Sequence, residues 1–336
     1  MSWYHIPGNE QDTVISTHVR FARNLTAYPF TSRLDAPRAR EIVSCVGDIL
    51  EKNGFSRVDF SDISRVTAQS LVEKHYASPL FARESLPHSL FLNEPCNLSV
   101  MVCEEDHVRL QCVLPGLSLK DAYAGAGKIE ALLDGELEFA FDGHLGYLTA
   151  CPSNLGTAMR ASVVLCIPLL AAGRRVDALA LQLDQQGLLL RGMFGEGSTT
   201  TGGLYRISNR MTLGISEEDI LERLGNAADS LITAERRLRE SLSGAELDRI
   251  TDRVRRAEGI LRFAHTLSTA EMISLLTDLR MGASLGLTNI RVEVLTALLV
   301  EAMPATLTSG AVTPPKNDFE RDILRAATVQ KSLFGA

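Results

Sequence analysis

The chain has 336 residues, 45% of them hydrophobic and 22% charged, with a formal net charge of −7 at neutral pH. That is the composition of a globular protein, long enough for one large packed unit and a smaller one. The acidic balance argues against a general nucleic-acid binder, although a local basic pocket can sit inside an acidic chain.

Taken in chain order, the N-terminus (MSWYHIP) lacks a basic stretch followed by an apolar run, so no secretory signal is expected. Asp35-Ala-Pro-Arg predicts a helix start, with Asp35 as cap and Pro37 in the first turn. Ile42, Val43, Val46, Ile49 and Leu50 then recur at helical spacing. From Ser89 the pattern alternates in twos: Leu90 and Leu92, then Leu98, Val100 and Val102, then Val108, Leu110 and Cys112, as in half-buried strands. Helical spacing returns from Leu119 to Leu133, and Glu136–Phe141 reads as a short strand before the Asp142-Gly143 turn.

Gly156-Thr157 is expected to open a strongly apolar helix ending near Gly173. Ala161–Ala172 is the longest apolar stretch; it is too short to span a bilayer and is interrupted by Pro168, so no membrane association is expected. Val176–Leu183 and Gly187–Gly192 read as two strands around a polar turn. Several strands without regular β-α-β alternation predict an α+β fold with an antiparallel sheet flanked by helices. After about residue 215 the chain reads as helical. Ser216, Ser243 and Ser268 are placed as N-caps, Met281-Gly282 as a stop, Ser309–Asn317 as a linker, and Asp318–Phe334 as a last helix. The expected division is residues 12–237 and a C-terminal helical domain of residues 238–336, with the boundary inside one long charged helix of residues 228–257.

Six cysteines at 45, 96, 103, 112, 151 and 166 contain no C-x-x-C pair. This supports neither a zinc site nor a disulfide framework and suits a reducing, cytoplasmic compartment.

Four segments combine arginine with small or acidic neighbours: Ser16–Asn24 (STHVRFARN), Glu104–Arg109 (EEDHVR), Gly156–Ser162 (GTAMRAS) and Arg191–Gly197 (RGMFGEG). Arg160, placed in the first turn of the expected helix, would sit where the macrodipole disfavours a cation. An anionic ligand such as phosphate, shared with the helix end, would account for it. Neither a Walker A loop nor the Gly-rich loop, Lys and H-R-D set of protein kinases is present, so arginines would have to hold any nucleotide phosphates. Alternation at a strand end would let Glu105, His107 and Arg109 line one pocket, suited to phosphoryl transfer by alignment and charge stabilisation.

Together these segments resemble the phosphagen (guanidino) kinase family, most closely its bacterial branch of protein arginine kinases. The resemblance runs through His18–Asn24 (HVRFARN), Glu104–Arg109, Gly146–Thr157 (GYLTACPSNLGT), Arg160–Val163 (RASV), Arg191–Ser198 (RGMFGEGS), Ile207–Asn209 (ISN) and Thr212–Gly214 (TLG). Phe194 stands where the metabolite kinases carry a further arginine. Arg321–Ala326 (RDILRA) fits the pattern that forms a regulatory phosphoarginine pocket in protein arginine kinases, which assigns Arg321, Asp322, Arg325 and Ala326 to it.

The resemblance implies ATP and Mg²⁺ as cofactors and phosphorylation of arginine side chains in proteins. Arg20, Arg109, Arg160 and Arg191 would grip the phosphates, and His75 would contact the nucleotide. Flanking cofactor-site positions are Ser16, Thr17, His18, Val19, Ala161, Ser162, Val163, Val164, Gly192, Met193, Phe194, Gly195 and Glu196. Glu105 would hold and deprotonate the acceptor guanidinium, whose pKa above about 12 makes it a poor nucleophile while charged. Cys151 would be the reactive active-site cysteine. The resemblance also implies a homodimer and, as partners, arginine-bearing protein substrates, a zinc-binding activator protein, a Clp-type unfoldase and a stress-gene repressor.

Two positions depart from the family pattern. His18 stands where the family usually has Arg, so one phosphate contact is weakened or made pH-dependent. Thr199 stands where the family has a second glutamate of the guanidinium clamp, and it offers neither charge nor a bidentate partner. An active protein arginine kinase is one reading. A catalytically impaired homologue that acts as a nucleotide- or phosphoarginine-binding regulatory protein is the alternative.

Overall fold

The computed structural model describes residues 2–94, 97–172, 175–193 and 202–335. Its elements in chain order are β1 (Val14–Arg23), α1 (Ala36–Lys52), β2 (Ser56–Asp59), α2 (Arg65–Glu73), β3 (Ser89–Leu92), β4 (Leu98–Val102), β5 (Val108–Pro115), α3 (Leu119–Asp134), β6 (Phe141–Asp142), β7 (Gly146–Tyr147) and β8 (Met159–Cys166). There follow α4 (Pro168–Ala171), α5 (Arg175–Gln185), β9 (Leu188–Gly192), β10 (Leu204–Asn209), α6 (Glu217–Glu240), α7 (Gly244–Phe263), α8 (Thr269–Ser284), α9 (Val292–Glu301), α10 (Pro304–Gly310) and α11 (Asp318–Phe334). Eight strands form one sheet in the order β2-β3-β4-β5-β1-β8-β10-β9, antiparallel at every pairing. The α+β class with an antiparallel sheet is as expected. Among the described residues no single helix is long and apolar enough to cross a membrane.

Most local signals act as their chemistry dictates. Asp35 accepts from Arg38 N at 3.0 Å and starts α1; Ser216 and Ser268 accept from Asp219 N and Glu271 N at 3.1 and 3.3 Å. Ser243 occupies the cap position without a side-chain bond. α8 runs past Met281-Gly282 to Ser284. The long charged helix is two helices, α6 and α7, broken at 241–243, where the backbone turns through Gly244 at φ 51°. Glu136–Phe141 is mostly irregular: only Phe141 enters β6, and Phe139 bridges to Leu25.

The larger corrections are two. The segment after Gly156 is not a helix but β8, in the interior of the sheet between β1 and β10. It is covered on both faces, so its sequence is nearly continuously apolar, and such a run carries no periodicity that separates strand from helix. Val176–Leu183, conversely, belongs to helix α5. Its alternating leucines imitate a strand, but only Val176 and Leu183, seven residues apart, are fully buried, and Leu181 is 63% exposed. Alanine and leucine there favour helix.

The two faces of the sheet have different fates. On one, Val19, Phe21, Leu110, Ala161, Val163 and Ile207 pack against α1, α3 and α6 in the main core. On the other, Ile15, Val164, Cys166 and Leu204 meet the C-terminal helices through Val254, Leu276, Leu298 and Val329. Leu90, Met101 and Val113 lie against Trp3, Tyr76 and Phe81 on that same face, toward the opposite edge. Between these two apolar covers the second face is left open, and the open part carries the polar side chains. α2 and α10 close its rim: Glu73 accepts from Ala305 N at 3.0 Å and Thr306 N at 2.6 Å, a carboxylate at a helix N-terminus, where the dipole favours it.

Candidate active site

The opening is a cavity of about 710 Å³. Strand alternation builds its floor. Register places Arg20 beside both Gln111 and Arg160, His18 beside Ser162, and Arg206 beside Arg191, and all of these line the cavity together with Arg109. Five arginines from five adjacent strands thus converge where few carboxylates face them. The consequence is a set of displaced pKa values. Burial and the neighbouring Arg109 press the Arg20 guanidinium down to about 9. Burial likewise lowers Arg206 and Arg160.

Arg160 is oriented by oxygen acceptors: Nη1 donates to Asn209 O at 2.8 Å, Nη2 to Ser153 O at 3.1 Å and Nε to Asn154 Oδ1 at 3.2 Å. It stands in β8 beside Arg20 across the strands, and not at a helix end. Arg206 carries no charge-clustering signal of its own: it is a single cation in β10, immediately before the Ile207–Asn209 segment and outside it. Its Nε is buried without a partner among the described residues. A half-buried cation with a buried, unused donor, among other cations, is held there at a free-energy cost unless an anion sits beside it. The group that fits such a floor is a polyphosphate.

His18 and His75 lie edge-to-face, with ring centroids 5.3 Å apart, on the same wall. His18 Nε2 is 2.9 Å from Ser16 Oγ. Burial and Arg206 hold His18 well below the ordinary imidazole range and bring His75 to about 3. Both rings are neutral at physiological pH, so His18 adds no charge to the cavity near neutrality. Arg206 supplies a nearby cation instead. His75 adopts φ 61° just past α2, which turns it into the cavity.

The turn between β4 and β5 presents Glu105 at the cavity mouth. Thr31 Oγ1 donates to the Glu105 carbonyl, and burial followed by Asp106 raises the Glu105 carboxyl above its usual range. Its neighbours have other tasks. Glu104 is buried against Arg109 and Ser78. Asp106 Oδ1 accepts from Asn24 Nδ2 at 2.6 Å and Ala150 N at 2.7 Å, fastening this turn to the loop that carries Cys151. His107 does not line the cavity with Glu105 and Arg109. It is fully buried, accepting at Nδ1 from Leu25 N at 3.0 Å and approaching Pro29 O with Nε2 at 2.9 Å. The residues 103–107 form a turn, so strand alternation does not extend through them. Cys151 lines the cavity, its Sγ 3.1 Å from Ser153 Oγ.

Of the flanking positions, Ala161, Ser162, Gly192 and Met193 border the cavity. Thr17 donates to Gly116 O at 2.7 Å, Val19 and Val163 belong to the core on the opposite face, and Val164 packs under the C-terminal helices. Ser16 stands behind His18. A contiguous stretch of strand cannot send every side chain to one ligand. Phe194, Gly195, Glu196 and Thr199 lie outside the described residues.

Comparison with known proteins agrees with this geometry. A family model described as the ATP:guanido phosphotransferase C-terminal catalytic domain matches residues 40–238, and one described as the protein-arginine kinase McsB C-terminal domain matches residues 247–335. The protein-arginine kinase of Desulforamulus reducens is 38% identical over 98% of this chain and 95% of its own length. That of Symbiobacterium thermophilum is 39% identical over 98% and 96%. The chain belongs to the protein-arginine kinase family.

Among solved structures, the duplicated taurocyamine kinase from Schistosoma mansoni with bound transition state analog components superposes with a TM-score of 0.62 at 26% identity, over 77% of this chain. The chain spans 38% of that duplicated protein. Lombricine kinase, at 23% identity and a TM-score of 0.61 over 70% of each chain, shares the fold. Within this family member the Arg321–Ala326 segment lies in α11, in the C-terminal helical module. Arg325 is fully buried, donating to Ala302 O at 2.9 Å and Leu267 O at 2.7 Å and pairing with Asp322. Ala326 is buried too, whereas Arg321 is half-buried, pairing with the exposed Asp318 at 2.8 Å while its Nε is buried without a partner among the described residues.

Proposed function

We propose that the chain transfers the γ-phosphoryl group of ATP to arginine side chains of proteins. The observation that carries this reading is the juxtaposition of Glu105, an ionisable carboxylate with no ion pair among the described residues, with a floor of five arginines. In this reading Arg20, Arg109, Arg160, Arg191 and Arg206 bind phosphate oxygens and take up the charge that spreads over them in the loose transition state. Mg²⁺ bound with the nucleotide would supply further positive charge against the phosphates, beside that of the arginines. Glu105 aligns the acceptor guanidinium and accepts its proton as the N–P bond forms and the bond from the γ-phosphorus to the β–γ bridging oxygen breaks, with ADP leaving. Its raised pKa brings it nearer the pH at which a base is effective. Cys151, on the loop fastened by Asp106, borders the acceptor. Thr199 is assigned to the acceptor side, where it supplies a weaker contact than a glutamate would.

The catalytic unit is taken as residues 12–237 and the helical unit as residues 238–336. The phosphoarginine pocket is assigned to α11, with Arg321 offering the ligand contact and Arg325, through Asp322, Ala302 and Leu267, setting the helix in place. A homodimer, a zinc-binding activator protein, a Clp-type unfoldase, a stress-gene repressor and a cytoplasmic setting complete the proposal. These rest on the family resemblance.

The test is incubation with Mg-ATP and an arginine-rich protein, followed by assay of acid-labile phosphate on arginine. Label should appear with the natural protein and fall at least about 100-fold in Glu105→Ala. Equal label from the two proteins, or none from either, would remove the transferase reading and favour a nucleotide- or phosphoarginine-binding regulator.

A further inference from the structure

Glu105 forms a wall of two concavities. One is the arginine-floored cavity; the other, about 510 Å³, opens on its outer side. The outer groove is bounded by Leu80, Glu84 and Leu86, by Glu104 and Glu105, and by Ala150 beside Cys151. Its charge is the reverse of the inner cavity: three carboxylates line it, and no arginine, lysine or histidine does.

The three carboxylates are not equivalent. Glu104 is already committed to Arg109 and Ser78, and Glu105 faces the inner cavity as well. Glu84 is held in place by Ser85 N at 2.7 Å and Leu86 N at 3.1 Å, both donating to Oε1, and has no ion pair among the described residues. Leu80 is 50% exposed at the groove's edge.

An arginine within a polypeptide must bring its main chain with it. The main chain cannot follow the guanidinium into a cavity already sized for a nucleotide, so it has to rest outside, one arginine side chain away from Glu105. The outer groove borders Glu105 directly and adjoins the loop of Cys151, which Asp106 fastens to the Glu105 turn. We propose that this groove seats the polypeptide flanking the target arginine, with Leu80 and Leu86 supporting apolar surface and Glu84 selecting a cationic residue near the target. The proposal rests on the arginine-kinase reading of the site and adds a sequence preference to it.

Two peptides of equal length test it, each with one arginine, flanked by lysines in one and by glutamines in the other. A single partly exposed charge pair predicts a preference of roughly 2- to 5-fold in KM for the lysine peptide, shrinking as salt is added. Glu84→Gln retains the Oε1 acceptor and should abolish that preference while leaving kcat and the glutamine peptide unchanged. Leu80→Ser, at an exposed position that tolerates substitution, should raise KM for both peptides alike. Equal KM for the two peptides in the natural protein, or a preference that survives Glu84→Gln, overturns the groove assignment. Failure of the natural protein to phosphorylate either peptide overturns the arginine-kinase reading itself.

Discussion

Replacing Arg206 by methionine separates a ligand-binding cation from a structural one. Methionine keeps the length and apolar stem of the side chain and deletes the charge. In the free protein Arg206 has a buried Nε without a partner among the described residues, and it depresses His18, His75 and Arg20. A typical buried substitution costs about 1–3 kcal/mol. Arg206 is half-buried in the cavity floor; removing its charge relieves a partial desolvation penalty and like-charge repulsion, so unfolding stability without nucleotide should change by less than about 1 kcal/mol, or rise. Nucleotide binding should respond in the opposite direction. One charge-assisted hydrogen bond to phosphate contributes about 1.5–3 kcal/mol, so the Kd for Mg-ADP should weaken roughly 10- to 150-fold. Isothermal titration calorimetry gives the affinity, and urea unfolding with and without Mg-ADP gives the stabilities. Loss of stability beyond about 2 kcal/mol with unchanged affinity would make Arg206 a structural residue and refute the phosphate-floor argument.

Three further outcomes are expected. His75, lowered to about 3 in the folded state from the ordinary 6.5, takes up its proton more readily when unfolded. Its contribution is therefore present above pH 6.5 and lost as pH falls from there toward 3, at about 1.4 kcal/mol per pH unit. His75→Gln should flatten that part of the pH–stability curve, and an unaltered slope between pH 6.5 and 5 would contradict the burial-driven shift. Thr199→Glu should raise kcat/KM for an arginine-bearing protein several-fold by restoring a bidentate acceptor for the guanidinium, and an equal or lower rate in a steady-state assay would remove Thr199 from the clamp. Arg321→Ala should weaken phosphoarginine binding at least about 10-fold in calorimetry with little effect on folding, because the partner in its ion pair, Asp318, is 89% exposed; undiminished affinity would displace the pocket from α11.

The sequence by itself determined much of what is local. Capping at Asp35, Ser216 and Ser268, the alternation through β3, β4 and β5, and the spacing in α1 and α3 are each dictated by neighbours a few residues away. The contiguous segments also marked Arg20, Arg109, Arg160, Arg191 and Glu105, all of which line the one cavity. Tertiary structure decided whatever depends on what covers a segment. β8 looked helical because both of its faces are buried, and α5 looked like a strand because its leucines happen to alternate. His107 left the site because a turn, not a strand, carries it. Arg206 entered because β10 aligns it beside Arg191, a cross-strand relation that no linear spacing encodes. The arrangement of the arginine floor is thus a property of sheet register: five strands each contribute a cation, and the cluster appears only when the strands are adjacent. Glu105 gains its two-sided position, between a basic cavity and an acidic groove, in the same way.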